Sequence, residues 1–334
     1  SRAFDEAGQP QAVMKTLDQV EPRAPIYELP YSITNEGSYY LVSSLMGSPS
    51  SNGIVVEVGN VHLDLNGFGL YGVSNSLTGI LLAATLSNEA HNVSIYNGMI
   101  GEWGRFAING TNSSDCEVSR VKLYGNRDGG IALGFRARVK ECNVDDCGDI
   151  GISVSDGGTV TDCKVFNEKV GIQAANACSV TECMAAGSVE NGIVAGDGSR
   201  VRECQVIWNA SNGIVVAGGC LVLNNNCGGN GLATNAGSGI VVVGRGNRIE
   251  NNNLFANYAG IWLAEGGNRV EHNNATDNTI GIMDTTNGNM VVRNGVSSSG
   301  TNYVMSPLSN YGEILINPGA GFTNNNPWAN FETW

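Results

Sequence analysis

One stretch of this chain leaves little freedom in how it folds. Between Gly130 and Asn212 four segments open with the same dipeptide: Gly130-Ile131, Gly151-Ile152, Gly171-Ile172 and Gly192-Ile193, spaced by 21, 20 and 21 residues. Twelve residues after each glycine stands a cysteine: Cys142, Cys163, Cys183 and Cys204. Valine precedes each cysteine by three positions, at Val139, Val160, Val180 and Val201. Two positions after the cysteine come Val144, Val165, Ala185 and Val206. A fixed period of this length means stacked supersecondary units, each burying its apolar side against its neighbours.

The unit is strand-like. Ile131-x-Leu133, Ile152-x-Val154 and Ile193-x-Ala195 alternate with period two, which sets their apolar members on one side. Gly, Asn and Asp lie between the apolar pairs, where turns need left-handed backbone or side-chain-to-backbone hydrogen bonds. No window in this stretch keeps a helical period. Three short strands and three turns in roughly 21 residues make one coil of a parallel β-solenoid, with coils pairing about 4.8 Å apart. The four cysteines then stack in the interior.

Nine cysteines is an odd number, so at least one is unpaired in a monomer. A thiol stacked in register serves as a small buried hydrophobe, and the stack does not suit disulfide geometry. Cys178 and Cys220 share a second repeat position, two coils apart. The cysteines are therefore expected to be mostly free and buried.

The pattern spreads outward from the middle. Gly53-Ile54, Gly79-Ile80, Ala107-Ile108, Gly213-Ile214, Gly239-Ile240, Gly260-Ile261 and Gly281-Ile282 add further starts. The expected architecture is all-β: a parallel solenoid of about eleven or twelve coils over residues 38–295. Residues 1–37 are read as a lead-in and N-terminal cap, with a helical turn at 14–20, because an open solenoid end is a sheet edge that needs cover. Residues 296–334 are read as a tail packing on the solenoid. Ser1 is not Met, and the sequence is read as beginning after either a removed signal or an expression scar. Past Cys204 the interior position becomes Asn225, Asn252, Asn273 and Asn294. A second polar ladder is expected at Asn167, Ser188, Asn209, Asn257 and Asn278, stacked amides satisfying buried turn groups. The outward position turns apolar late in the chain, at Val194, Val215, Val241, Trp262 and Met283. The tail is expected to cover this stripe in a monomer; an oligomer interface is the competing reading.

A net charge of −13 argues against nucleic acid or an anionic membrane surface as partner. No segment reaches the ~18 apolar residues that span a bilayer.

The Gly-Ile coils, the Asn66-Gly67 and Asn97-Gly98 strand ends and the Cys/Asn ladders resemble parallel β-helix proteins of the pectate-lyase superfamily, and more closely the NosD-like β-helix repeats. Met14 to Arg23 and Pro327 to Phe331 resemble the ends of secreted bacterial β-helix proteins. The resemblance implies a right-handed helix, as the crossover rule does, a secreted or periplasmic location and an extended polysaccharide as partner. Catalytic motifs of the superfamily do not carry over. Asp145-Asp146 is present without a Gly-His-Gly, the paired-arginine motif of pectate lyases is missing, and His62, His91 and His272 lie in distant coils. No copper site is marked, and the cofactor is left open, calcium being one option.

Insertions in a repeat protein collect on one face, often the binding face. Here the coils starting at 53, 79, 107 and 213 are long, and their extra length falls largely in the turn before the next Gly-Ile. That turn edge carries Glu102, Trp103 and Arg105, then Arg127 and Asp128, then Asp145, Asp146 and Asp149, then Glu168 and Lys169. Carboxylates about 5–10 Å apart suit glycoside hydrolysis. A β-eliminating lyase would want Arg or Lys as base and a cation on the uronate. Asp145, Asp146, Asp149, Asp128 and Arg127 are the candidate catalytic residues. Glu102, Trp103, Arg105, Glu168 and Lys169 are the candidate substrate-binding residues, with Trp103 stacking on a sugar ring. The competing readings are charge pairs on a solvated edge, Arg127 with Asp128 and Glu168 with Lys169, and a non-catalytic surface module docking a partner through the apolar stripe.

Overall fold

The computed structural model describes residues 22–83, 90–231, 236–316 and 325–333. The expected helical turn at 14–20 lies outside them. The described residues form short β-strands joined by turns, with no helix among them. One sheet has 13 strands, one per coil, from Tyr31–Ile33 to Thr301–Val304. The other has 26, two in most coils, such as Thr159–Thr161 and Lys164–Phe166. Val93–Gly101 and Glu117–Tyr124 each run through both of these strand positions and so join two faces into one sheet. All the pairing between coils is parallel, and the repeat frame is the register: Ile131 pairs Ile152, Ile152 pairs Ile172, Ile172 pairs Ile193.

The sheets hold one more coil at each end than the Gly-Ile starts show. Tyr31–Ile33 pairs with Ile54–Val56, and Thr301–Val304 pairs with Ile280–Asp284. In the register of their neighbours the end coils read Pro30-Tyr31 and Asn302-Tyr303 and so lack the dipeptide. Pairing thus runs past residues 38 and 295 in both directions. In the tail, Asn310–Tyr311 pairs with Met290–Val292, and Asn330–Thr333 with Gly295–Ser297. These tail strands belong to the 26-stranded sheet, whereas the stripe from Val194 to Met283 runs along the 13-stranded one.

The coils that start at Ala107 through Gly281 each bend at three corners, all built alike. One residue takes a left-handed backbone and the next points inward. The pairs are Ala177/Cys178 and Gly246/Asn247 at the first corner, Asp162/Cys163 and Asn251/Asn252 at the second, Asp146/Cys147 and Asp277/Asn278 at the third. The inward residue closes the bend. Asn252 Oδ1 accepts from the Asn225 backbone N–H at 2.9 Å, and Asn252 Nδ2 donates to the Val222 carbonyl at 3.0 Å and on to Asn273 Oδ1 at 2.9 Å. Peptide groups that the sheets cannot pair are satisfied in this way. In the earlier coils cysteine fills the position, and its thiol donates weakly to carbonyls, Cys163 Sγ to Thr161 O at 3.2 Å. All nine cysteines are free and buried. Between the corners the core is stacked Ile and Val, with Ile131, Ile152, Ile172, Ile193, Ile214, Ile240, Ile261 and Ile282 fully buried, each worth about 1.5–3 kcal/mol of burial.

The ladder from Cys142 to Asn294 stands as expected and continues to Asn330. The other expected ladder needs a correction at one rung. Glu168, not Asn167, is the inward residue; Asn167 has φ 59° and an exposed side chain that donates to Asp145 Oδ1 at 2.9 Å. Asn126 and Asn230 belong to this ladder as well. A third ladder, Asn247, Asn268 and Asn289, continues the Cys178 and Cys220 position.

Candidate functional site

The third corner faces the turn edge singled out from the sequence. Its left-handed column runs Glu102, Gly125, Asp146, Asn167, Gly187, Trp208 and Gly229. The inward column one residue later runs Trp103, Asn126, Cys147, Glu168, Ser188, Asn209 and Asn230, every one buried. This alternation sorts the candidates.

Trp103 is not a sugar-stacking residue. It is 1% exposed, and its indole N–H donates to the Leu70 carbonyl at 3.2 Å. Its ring fills the interior against Gly47 and Gly53, where a Cβ would come within 2.5 and 2.7 Å of its Cη2. Trp103 occupies a ladder position, so the corner turns it inward. Glu168 is turned inward by the same rule and is not available to a substrate. Both of its carboxylate oxygens accept from the Cys147 backbone N–H, at 2.9 and 3.0 Å. Burial pushes its carboxyl up to about 8, the charges of Asp146 and Asp145 adding to the shift and the Cys147 amide opposing it. The expected Glu168–Lys169 pair does not form. Lys169 reaches instead to Asp149 at 3.6 Å and Glu190 at 4.0 Å, all three exposed.

The remaining candidates are brought to one edge. Glu102, Arg105 and Arg127 line a cleft of about 540 Å³, closed on its other side by residues 72–77. Ser76 is buried in that wall, its Oγ accepting from the Val73 and Gly104 backbone N–H groups. Arg105 and Arg127 come from adjacent coils joined by backbone bonds, Arg127 N to Trp103 O at 3.0 Å and Asp128 N to Arg105 O at 3.3 Å. Among the described residues neither guanidinium makes an ion pair, the expected one between Arg127 and Asp128 included, and Glu102 makes none either. Beyond the cleft come Asp128, half-buried, and Asp145, Asp146 and Asp149, all exposed.

Trp208 went unnoticed in the sequence. It holds φ 56° in the left-handed column and is 68% exposed. A bulky side chain in that conformation costs roughly 1–2 kcal/mol. Its place in the frame, one residue before the ladder position Asn209, was the available signal.

Copper ligation calls for clustered His, Met or thiolate donors. Among the described residues no three His, Cys, Asp or Glu side chains gather as a metal-binding group. The stacked thiols are turned to backbone carbonyls. Among the described residues the donor set does not fit a copper centre.

Comparison with known proteins bears on the fold. A family described as right handed beta helix region matches residues 33–187. A second, described as periplasmic copper-binding protein (NosD), matches residues 155–311. No curated protein matches the chain. Among solved structures, the A-module of the mannuronan C-5 epimerase AlgE4 of Azotobacter vinelandii superimposes with a TM-score of 0.67 at 15% identity, covering 82% of this chain and 91% of that one. The AlgE6 A-module of the same organism gives 0.61 at 12% identity, over 86% of this chain and 87% of that one. A tailspike of E. coli bacteriophage HK620, in complex with a pentasaccharide, gives 0.56 at 11% identity, over 99% of this chain and 77% of that one. With the parallel register and the stacked corners, these likenesses identify the chain as a right-handed parallel β-helix repeat protein.

Proposed function

We propose that this protein binds an extended, acid-bearing polysaccharide along its third-corner edge, outside the cytoplasm. The observation that carries the reading is the pair Arg105 and Arg127. Two guanidinium groups without an ion pair among the described residues line one cleft in a chain of net charge −13. A planar guanidinium is well suited to grip a carboxylate with two parallel hydrogen bonds. The straight edge repeats every coil, about 4.8 Å, and so offers an extended polymer successive contacts. Fold relatives that act on mannuronan or hold an oligosaccharide support the partner class. The periplasmic description of one matching family supports the location. Asp128, Asp145, Asp146 and Asp149 flank the cleft as an acidic stretch that sets the polymer's register by repulsion.

The test is binding of alginate, polygalacturonate and neutral dextran by calorimetry, with product mass read in parallel. Arg105→Ala with Arg127→Ala is expected to weaken binding of the acidic polymers about tenfold or more, as loss of charge-assisted contacts does. It is also expected to flatten the salt dependence. Equal affinity of the double variant and the unaltered chain for every polymer rules the cleft out. New chain ends that vanish in Asp145→Asn/Asp146→Asn would show that the acidic stretch cleaves.

A further inference from the structure

We propose that Trp208 is a stacking platform for a pyranose ring, placed on the same edge as the arginine cleft. Three observations converge on it. The third-corner column otherwise holds Glu102, Gly125, Asp146, Asn167, Gly187, Gly229, Ala256, Asp277 and Ser298, small or short polar residues for the most part, which suit a left-handed backbone. Tryptophan is the bulkiest departure from that rule, and backbone strain of this kind persists where it serves a site. Second, the ring is 68% exposed, so the strain secures no core packing. Trp103, one frame position later, shows what a buried tryptophan looks like at this corner. Third, the neighbours in the column are both glycine. Gly187 stands one coil before, and Gly229 lies one coil after, where an added Cβ would come 2.6 Å from Trp208 Cδ1 and 3.1 Å from Nε1. The pyrrole side of the indole thus rests on bare backbone, and a side chain at Gly229 would lift it.

An aromatic surface presented to water beside polar turn groups is the recognition chemistry of a sugar ring, whose C–H face is apolar and whose rim is hydroxyl. Glu190 and Ser211 lie on the flanking turns, and the Asn212 amide donates to Asn191 Oδ1 at 3.0 Å and Ser211 Oγ at 3.2 Å. Trp208 lies five coils beyond Glu102 in the same column, about 24 Å at the coil spacing. The arginine cleft and the indole then mark two points of one track, the first gripping charge and the second a ring face.

This inference rests on the polysaccharide reading, and one set of measurements separates the two. The unaltered chain, Trp208→Ala, Trp208→Tyr, Trp208→Gly and the Arg105→Ala/Arg127→Ala variant are titrated with alginate, polygalacturonate and dextran, and each is melted thermally. Trp208→Ala is expected to lose about tenfold or more in affinity, as an aromatic anchor does, and Trp208→Tyr to recover most of it. Trp208→Gly is expected to melt higher than the unaltered chain while binding as weakly as Trp208→Ala, since glycine relieves the left-handed backbone. No binding of any polymer by the unaltered chain overturns both readings. Binding that the arginine variant loses and Trp208→Ala keeps overturns the platform alone. A Trp208→Gly variant that melts lower and binds normally makes the ring packing filler, which also overturns it.

Discussion

Glu168 shows how one residue of a repeat can carry its own pH dependence. Its ladder neighbours are polar or thiol groups without charge, Cys147 before it and Ser188 after it. A carboxyl there is neutral only when protonated. In the unfolded chain it titrates near 4.3; folded, it is pushed up to about 8, with burial as the first cause. Folding therefore favours the protonated acid. Its contribution is complete below about pH 4 and is lost as pH rises through about 8. Glu168→Gln keeps the acceptor for the Cys147 amide and removes the charge. The variant is expected to exceed the unaltered chain in stability by a few kcal/mol above pH 8, with the gap closing toward pH 4. Denaturant titrations across that range check it, and parallel curves at every pH would contradict it. Trp103 and Trp208 make the companion point at this scale. One residue of displacement in the repeat frame separates a ring at 1% exposure from one at 68%.

At the scale of the element, the unit to consider is the corner rather than the strand. Most strands are three residues long, too short to define themselves. What positions them, from the coil at Ala107 to that at Gly281, is a left-handed residue followed by an inward side chain, mostly polar or thiol, three times per coil. Removing one rung is therefore expected to loosen two coils at once. Asn252→Ala leaves the Asn225 N–H and the Val222 carbonyl without their partner, at about 1–3 kcal/mol for each buried group. Hydrogen exchange is the direct measurement, with the Asn225 amide expected to exchange faster and the strand amides of distant coils unchanged. An unaltered Asn225 amide would show that the rung is dispensable. Replacement of cysteine by asparagine along the same column follows from this geometry. Cys204 N donates to Asn225 Oδ1 at 3.0 Å, so the two residue types meet within one ladder. The thiol fills space and donates weakly, whereas the amide both donates and accepts.

Across the whole molecule the nine thiols provide a simple check of the architecture. All are buried, so none is expected to react with a thiol reagent in the folded protein. Nine are expected to react once it is unfolded without reductant, whereas a pair forming a disulfide would lower the count by two. Much of the solenoid was legible in the chain because its information is periodic. The Gly-Ile starts and the Cys142 to Cys204 spacing state the coil length, the strand alternation and the interior stack, and each coil repeats the statement. The end coils at Tyr31–Ile33 and Thr301–Val304 were not legible, since they form on the template of a neighbour and lack the dipeptide. The candidate edge was found as a row, and its charged members Arg105, Arg127, Asp145, Asp146 and Asp149 do lie exposed. Which members of the row face water was decided only in three dimensions. Side-chain direction at a bend depends on where the left-handed residue falls, and one position of offset inverts it. Trp103 and Glu168 were thus turned into the core, Trp208 was left outside, and the arginines were placed opposite residues 72–77 of another coil. Local periodicity determined the coil; the cleft arises from contacts between coils of unequal length, which no single repeat contains.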